Sequence, residues 1–384
     1  MSTTQSKFRL SIARTIVPAL LAVGLMGTLP DWVTIAQAQG YYLAPESAQA
    51  LNANVLTTAL ANTSATRMAI GSRTNRGSSA QAGGFRIEGV RIGGVDLDGT
   101  YFVDEDSAAG GAATGQLGGF LTAVGGFGGQ EGQLDFSNGG LIGGVDYQFS
   151  EAMLGGLSIN WVNTNTTFVG NSGGSDRDTY GATLYTSYSK NLLTVDGLFN
   201  YSFSDYSMTR SIGPGDVATG LNNSDEIFLS AGVSYECEMA GWKIGPAVRL
   251  DLIKVWMDAY TETGAIDSNN NATYDAFDIT SLTTDIGAEA SYEIKAAGGV
   301  ITPSIHGYWV HEFENDSQAL FGSTIGGGAF STILGSPDRD YMRLGVGATM
   351  ELQQGLQIYV DYEALLGFQG VNSNQFAVGG RFEF

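Results

Sequence analysis

The stretch Asn374-Gln-Phe-Ala-Val-Gly-Gly-Arg-Phe-Glu-Phe384 decides the expected fold, because its residues alternate between two faces. One face carries Asn374, Phe376, Val378, Gly380, Phe382 and Phe384, and the other carries Gln375, Ala377, Gly379, Arg381 and Glu383. A period of two residues is typical of a β-strand with one apolar and one polar side. The stretch therefore predicts a long strand that places phenylalanines against an apolar environment.

The same alternation recurs upstream, so that the sequence predicts twelve strands in all. They begin near residues 118, 138, 152, 178, 191, 224, 241, 277, 299, 339, 355 and 372. Several run well beyond the roughly five or six residues of a typical β-sandwich strand, and one face is consistently rich in carboxylates. Only a closed sheet satisfies its backbone polar groups in lipid, so the pattern predicts a membrane barrel over residues 117–384.

The connections between the predicted strands alternate between short and long. Short turns are predicted at 150–151, 190–191, 239–240, 296–298 and 353–354, and long polar loops at 127–137, 168–177, 207–223, 260–276, 314–338 and 367–371. This alternation is typical of outer-membrane barrels, which have tight periplasmic turns and long loops at the cell surface. We predict an all-β fold, a twelve-stranded antiparallel transmembrane β-barrel, with aromatic residues at the membrane interfaces.

Residues 1–38 have the pattern of a secretory signal peptide. Three basic residues precede an apolar run from Ile16 to Leu29, and Ala36 and Ala38 provide the small side chains that signal peptidase requires. The apolar run is shorter than the ~20 residues of a membrane-spanning helix. We therefore expect cleavage after Ala38 and a mature chain outside the cytoplasm.

Between the signal peptide and the barrel, the sequence predicts two smaller units. The spacing of three and four positions among Leu51, Val55, Thr58, Ala59 and Asn62 predicts an α-helix from Ala48 to Met68. A Gly/Ser-rich connector completes the unit 39–84. Residues 85–103 alternate, with turn signals at Gly93-Gly94 and Asp98-Gly99, and an acidic, then Gly/Ala-rich stretch follows. Residues 85–116 are thus predicted to be a short hairpin and a linker.

Composition narrows the range of functions. The 384 residues include 18 basic and 39 acidic ones, and the formal net charge of −21 disfavours nucleic acid as a partner. Cys237 is the single cysteine, and His306 and His311 are the two histidines. This is a poor inventory for metal binding or acid/base chemistry, so we expect no cofactor, no metal and no enzymatic activity.

Several segments together resemble the autotransporter β-domain of type V secretion. Phe120–Gln130 and Gly139–Phe149 look like its opening hairpin. Pro303–Phe313, which ends in Trp309-Val-His-Glu-Phe313, is similar to its signature strand, and Phe376–Phe384 is similar to its phenylalanine-terminated end. The resemblance extends over about residues 117–384. It implies a twelve-stranded barrel whose pore holds an α-helix, here the predicted helix 48–68.

The resemblance also implies a function and partners. The barrel would translocate or display an N-terminal passenger, here only the short segment that precedes residue 117. Its partners would be outer-membrane lipid and the barrel-assembly machinery. The residues that this machinery would recognise are Phe376, Val378, Phe382 and Phe384. An unidentified surface ligand of the Thr/Asn/Gly-rich loops stays open at the level of sequence.

Charge patterning suggests how the N-terminal segment is held in the pore. Residues 39–95 contain five arginines against two glutamates, whereas the rest of the chain is strongly acidic. Arginine forms bidentate pairs with carboxylates, and pairing is stronger where water is scarce. We predict that Arg67 and Arg73 meet lumen acids, namely Glu289, Glu293, Asp361 or Glu363.

Two alternative functions remain open at the level of sequence. The predicted inward faces carry many more acids than bases, so an unobstructed lumen would be a passive, cation-preferring pore. The Thr/Asn/Gly-rich loops would equally suit a surface-adhesion protein that binds its ligand outside the cell. Neither alternative requires an enzyme.

Overall fold

The structure is a computed structural model. It describes residues 117–296, 299–314, 319–333, 338–352, 356–368 and 370–383, together with short strands between residues 85 and 101. These short strands are β1 (Phe85–Ile87), β2 (Arg91–Ile92), β3 (Val95–Asp96) and β4 (Gly99–Tyr101), with β1 paired to β4 and β2 paired to β3. The predicted signal cleavage at Ala36 and Ala38, the predicted helix 48–68, Arg67, Arg73 and Phe384 lie outside the described residues.

Twelve long antiparallel strands form a closed barrel, as the sequence predicts. They are β5 (Leu117–Gln130), β6 (Leu134–Gln148), β7 (Met153–Phe168), β8 (Gly173–Lys190), β9 (Leu193–Gly213), β10 (Asp216–Tyr235), β12 (Trp242–Met257), β15 (Phe277–Tyr292), β17 (Gly299–Glu312), β20 (Asp340–Leu352), β21 (Gln357–Leu366) and β22 (Val371–Glu383). Each strand pairs with its sequence neighbour in this set, and β22 pairs with β5 to close the ring. Two short strands, β11 (Cys237–Met239) and β16 (Ile294–Ala296), extend the sheet beside β12 and β17.

The two faces of the barrel wall differ as the alternation predicts. On β9, Phe199 is 42% exposed on the outside, whereas the adjacent Leu198 and Asn200 are buried on the inside. The other long strands alternate in the same way, and their large apolar side chains lie on the outside. The outer surface of the barrel is therefore apolar, as contact with lipid tails requires.

Two rows of aromatic residues border this apolar surface. Trp161, Tyr180 and Phe203 are cross-strand neighbours in one row, which Phe127, Trp256 and Trp309 continue around the barrel. The other row contains Tyr147, Phe149, Tyr188, Tyr235 and Trp242. Beyond the first row the outward residues become polar, and Trp161 Nε1 donates a hydrogen bond to Asp178 Oδ1 at 3.0 Å. Such rows mark the two membrane interfaces.

The two ends of the barrel are unlike each other. At one end, which we call the turn end, short connections join β6 to β7, β8 to β9 and β10 to β12. Asn191 and Ala240 occupy left-handed backbone conformations there, with φ of 58° and 54°, as tight hairpin turns require. The opposite end, which we call the loop end, carries longer segments. The predicted long connections are present between β12 and β15 and between β17 and β20, whereas the other four connections between long strands at this end have two to four residues.

At the loop end, the sequence prediction of polar loops is wrong for five segments. In the predicted loops 127–137 and 168–177, residues 127–130 belong to β5, residues 134–137 to β6 and residues 173–177 to β8.

Residues 207–223 continue β9 and β10 as a hairpin whose tip contains Gly215, with φ of 78°. The buried side chains of Met208, Arg210 and Ala218 alternate with outward serines and threonines. In the sequence, these serines and threonines resemble a polar loop. In the structure they form the water-facing side of a strand that extends beyond the membrane.

The other two segments form a second sheet. Residues 260–276 and 314–338 contain β13 (Tyr260–Thr261), β14 (Ala272–Tyr274), β18 (Ala319–Thr324) and β19 (Ala329–Ile333). These strands pair in the order β13-β14-β18-β19. We call this unit the loop-end sheet. Among the helical segments that the structure describes, none is long and apolar enough to span a bilayer.

The barrel lumen as candidate functional site

The lumen is lined by polar and charged side chains, because the inward positions of the strands carry most of the ionisable residues. The inward acids include Asp146, Asp196, Glu226, Asp251, Asp285, Glu289, Asp361 and Glu363, and the inward bases include Arg177, Arg249, His306, Arg343 and Arg381. Buried charges are costly unless they are paired and hydrogen-bonded. The lumen is therefore organised around ion pairs.

Glycines on intervening strands let these pairs reach across the wall. Arg381 of β22 passes over Gly118 of β5 and reaches Asp146 of β6, with Nη2 to Oδ1 at 3.1 Å. A Cβ atom at Gly118 would lie 2.6 Å from Arg381 Nη2. The absence of a side chain at position 118 therefore makes room for a contact between strands that are not neighbours.

The same device recurs around the barrel. Tyr359 of β21 covers Gly379 of β22 and hydrogen-bonds Thr122 of β5. Arg249 of β12 covers Gly232 of β10 and binds Asp196 of β9, with Nη1 to Oδ2 at 2.8 Å and Nη2 to Oδ1 at 3.1 Å. The inward glycines therefore make room for ion pairs and hydrogen bonds across the lumen wall, in addition to any role in sheet curvature.

The seam between the first and last long strands has two such contacts. Arg381–Asp146 and Tyr359–Thr122 both cross the β5–β22 pairing. Arg381 is 2% exposed and Asp146 is equally buried, and Tyr185 Oη donates to Asp146 Oδ2 at 3.2 Å. Side chains, and not only the backbone ladder, therefore hold the seam closed.

A cavity of about 160 Å³ lies in the turn-end half of the lumen. Its charged lining residues are Asp196, Glu236, Lys243, Arg249, Glu289, His306, Asp361 and Glu363. His306 Nε2 lies 3.5 Å from Glu363 Oε2, and the Tyr308 hydroxyl donates to Glu289. Acids outnumber bases in this lining, so the cavity favours a cationic guest.

The loop-end half of the lumen is different, with buried hydroxyl groups around a buried ion pair. Arg177 of β8 is fully buried and pairs with Glu226 of β10. Ser204 accepts from Arg177 Nε at 3.1 Å and donates to Glu226 Oε1 at 2.9 Å, and the Tyr206 ring lies 5.1 Å from the guanidinium. This group connects three strands that continue past the aromatic row.

The structure describes all four acids that the sequence predicts for the lumen. Glu289, Asp361 and Glu363 line one cavity, but Glu293 lies near the end of β15 and pairs with Lys243 Nζ at 2.8 Å. Their pairing with Arg67 and Arg73 stays a prediction, because both arginines lie outside the described residues. Phe376, Val378 and Phe382 are about half exposed on the outward face of β22, whereas Phe384 is not described.

Sequence reasoning missed the pairs that close the seam. The alternation of β22 places Arg381 on the inward face, so the base itself could be found. Its partner Asp146 depends on the register of β5 against both β22 and β6, and on a glycine at position 118. Within the described part of the chain, no group of three or more His, Cys, Asp or Glu residues could hold a metal ion.

The comparisons with known proteins agree with this architecture. The sequence profile described as the autotransporter β-domain matches residues 117–363. The fold is similar to the translocator domain of the autotransporter NalP from Neisseria meningitidis, with a TM-score of 0.58, 16% identity, and coverage of 71% of this chain and 90% of that one.

A second similar structure is the β-domain of the Bordetella autotransporter BrkA. The TM-score is 0.55 at 17% identity, and the match covers 70% of this chain and 100% of that one. No curated protein sequence matches the chain. At these identities the structural likeness shows a shared fold.

Proposed function

Because the chain belongs to the autotransporter β-domain family of outer-membrane translocators, we propose that its barrel carries the chain's own N-terminal segment to the cell surface. The observation that carries this proposal is a closed barrel with a polar, charged lumen. A polypeptide needs such a lining, since its backbone groups would lack partners in lipid. The proposed activity is transport and display without a catalytic step.

The position of β5 sets the path of the segment. Leu117 begins β5 at the turn end, which in this proposal faces the periplasm, and the loop end faces outward. The segment before Leu117 therefore reaches the surface by crossing the lumen from the turn end. The predicted mature chain has 78 residues before position 117, and the barrel strands contain 10 to 21 residues. At about 3.3 Å per extended residue, the segment is long enough to span the barrel.

In this proposal the lumen holds the segment by charge. Glu289, Asp361 and Glu363 share a cavity in which acids predominate, and the segment before residue 96 is rich in arginine. Moving a guanidinium beside these acids reduces repulsion between carboxylates that burial makes costly. Arg67 and Arg73 at the end of the predicted helix would take this position.

The outward side of β22 is the proposed contact for the barrel-assembly machinery. Phe376, Val378 and Phe382 form an apolar row beside the seam, and the family resemblance assigns the recognition role to these residues together with Phe384. Because β22 closes the ring, a protein that binds this row would hold the last strand until it pairs with β5.

Surface accessibility of an epitope tag tests the proposed display. We expect a tag inserted after residue 40 to be removed by proteinase K from intact cells, because the segment reaches the outside. A tag in the β18–β19 turn at residues 326–328 should also be accessible, since it lies at the loop end. A tag in the Asn191-Leu192 turn should be protected until the outer membrane is opened.

The three tags separate the possible failures. Protection of the tag at residue 40, with the tag at 326–328 accessible, would contradict display while preserving the orientation. Accessibility of the tag at 191–192 with protection of the one at 326–328 would show that the orientation itself is reversed.

A further inference from the structure

The loop-end sheet is joined to the barrel by backbone pairing. Thr219 of β10 and Thr263 exchange two hydrogen bonds, at 2.7 and 2.8 Å, just beyond the point where β12 leaves β10. The barrel wall therefore continues from β10 through β13, β14 and β18 to β19. The loop-end sheet is thus an extension of the wall above the aromatic row.

Side chains fix this extension in place. Arg210 Nε donates to both Glu262 carboxylate oxygens at 2.9 and 3.2 Å, and Arg210 Nη2 also reaches the Asn270 carbonyl at 2.8 Å. Burial lowers the pKa of Arg210, but the hydrogen bonds and charge of Glu262 raise it by more, so the arginine stays charged. Tyr260 stacks on Tyr274 with ring centroids 4.8 Å apart. The sheet therefore presents a fixed surface.

The outward side of this extension continues the lipid-facing side of the barrel wall. On β9, the outward residues Tyr201 and Phe203 are followed on the same side by Asp205, Ser207 and Thr209. Alternation keeps all of them on one side of the strand. The upper part of the wall therefore points sideways, over the surface of the membrane.

The height of this upper part follows from strand geometry. Ser207 lies four residues beyond Phe203, which belongs to the aromatic row at the membrane interface. Four residues span about 13 Å along a strand, or about 10 Å of height at the usual tilt. The headgroup region of a leaflet is about 5–8 Å thick. From Ser207 upward, the outward side therefore lies beside whatever stands above the lipid headgroups.

This upper outward side, which we call the hydroxyl face, carries no charge on its described strands. Its residues are Ser207, Thr209, Ser211, Val217, Thr219, Leu221, Thr261, Thr263, Thr273, Ala319, Phe321, Ser323, Ala329 and Ser331. Leu221, which pairs with Ser207, is 77% exposed. The acids Asp205, Asp225 and Asp275 lie along the membrane-side margin of the face. In a chain with a net charge of −21, a wide uncharged face in contact with water is unusual.

The hydroxyl groups lie in rows that cross the strands. Register partners form two such rows, Thr209–Thr219–Thr263 and Thr261–Thr273–Ser323. Neighbouring strands are about 4.8 Å apart, so each row offers hydroxyl groups at that interval. A hydroxyl group both donates and accepts hydrogen bonds, as the hydroxyl groups of a sugar do. The rows therefore match an uncharged saccharide that lies along them.

We propose that the hydroxyl face binds uncharged sugar residues of the outer-leaflet glycolipids that surround the barrel. The inference rests on the orientation given above, in which the loop end faces outward. The hydroxyl groups of the face hydrogen-bond the sugars, and Val217 and Leu221 pack against C–H groups of the sugar rings. The bound saccharide ties the loop-end sheet to the membrane surface.

Two observations favour this occupant over another. First, the hydroxyl face continues the lipid-facing wall without a break, so a glycolipid packed against the wall below extends its sugars along the face above. Second, the face has hydroxyl groups but no charge. It therefore offers nothing to a phosphate or to an ionised side chain of a protein, and it suits the hydrogen-bonding groups of an uncharged sugar.

Photo-crosslinking in intact cells identifies what lies against the face. The photoreactive residue p-benzoylphenylalanine is incorporated in place of Leu221, or in place of Leu229, which lies on the same side of β10 within the membrane. The full chain is produced in cells with long-chain lipopolysaccharide and in deep-rough cells, whose lipopolysaccharide lacks the outer sugars. We expect position 229 to form glycolipid adducts in both kinds of cell, and position 221 to form them only where the outer sugars are present.

Other outcomes of the crosslinking would overturn the proposal. These are a protein adduct at position 221, equal glycolipid adducts at this position in both kinds of cell, and no adduct in the long-chain cells. The tag at residues 326–328 is measured in the same cells. An accessible tag without a saccharide adduct overturns this inference alone, whereas a protected tag contradicts the orientation on which both it and the proposed display rest.

Affinity in detergent micelles separates binding from mere proximity. The probes are lipopolysaccharide with a complete core oligosaccharide and deep-rough lipopolysaccharide, and microscale thermophoresis measures the dissociation constants. We expect the unmodified protein to bind the complete form about tenfold more tightly, which corresponds to one or two net hydrogen bonds. Thr261→Glu should weaken this binding by about tenfold, because the carboxylate loses water where the sugar packs.

The matched control is Val169→Glu, at an exposed position of the β7–β8 connection outside the hydroxyl face. Its dissociation constant should stay within about twofold of that of the unmodified protein. Equal dissociation constants for the two lipopolysaccharides, or equal weakening by the two glutamates, would overturn the proposal.

Discussion

Replacing Arg381 with alanine is expected to destabilise the barrel by roughly 3–5 kcal/mol, because it leaves Asp146 buried without its arginine. The two side chains are 2% and 1% exposed, and their contact crosses the β5–β22 seam. Urea titration of the protein in micelles, followed by the heat-dependent shift in gel mobility, measures the loss. We expect the seam to open first, so that the unfolding midpoint falls sharply.

The matched control for the seam is Lys243→Ala. Lys243 and Glu293 also form an ion pair with a 2.8 Å contact, but their side chains are about one quarter exposed. Because this pair keeps contact with water, it should contribute less than the fully buried Arg381 pair, and the midpoint should move much less. Equal midpoints for Arg381→Ala and Lys243→Ala would show that the Arg381 pair does not hold the seam.

Replacing Arg210 with alanine should release the loop-end sheet while leaving the barrel folded. The change leaves Glu262 buried, with the backbone N–H of Ala272 donating to it at 2.9 Å. Losing a buried partner costs about 3–5 kcal/mol, and each 1.4 kcal/mol is about a factor of ten. Proteinase K should therefore cut within residues 260–333 at least a hundredfold faster, since cleavage tracks the open population.

A surface ion pair on the same part of the protein provides the control for Arg210. Lys254 contacts Asp278 on the outward face, where the Asp278 side chain is 54% exposed. Lys254→Ala should leave the cleavage rate of residues 260–333 within about twofold. Unchanged cleavage in Arg210→Ala would show that the Thr219–Thr263 pairing and the Tyr260–Tyr274 stacking hold the sheet without the ion pair.

The barrel could be predicted from the sequence because alternation is a local property. Phe199 between Leu198 and Asn200 shows the rule, since adjacent residues must point to opposite sides of a strand. Strand number and closure followed from repeating this test along the chain. A closed sheet was then expected because lipid offers no hydrogen-bond partners to the backbone groups of an open edge.

The strand segments above the membrane could not be predicted in the same way. In membrane strands the outward side is apolar, but Ser207 and Thr209 lie on the outward side of β9 above the membrane. Water on that side removes the contrast between the faces, so the alternation fades although the strand continues. The buried Arg210 is the remaining sign in the sequence, and it becomes informative only together with Glu262, 52 residues away.

In the lumen, the sequence predicts which residues face inward but not which of them pair with each other. Inward acids such as Glu289 and Asp361 could be assigned to the lumen from alternation alone. Which acid meets which base depends on register and on glycines such as Gly118 and Gly232, and these are properties of several strands together. Glu293 illustrates the limit, because β15 ends just before it and the residue pairs with Lys243.

Planar-bilayer conductance tests most directly whether the N-terminal segment occupies the lumen. The chain from Gln39 onward is compared with a version that lacks residues 39–84, and with the Arg67→Glu, Arg73→Glu double variant. We predict negligible steady current for the first, large cation-preferring current for the second, and frequent openings for the third, because its charges are repelled by the lumen acids. Large and equal currents from all three proteins would contradict the account and identify the barrel as a passive pore.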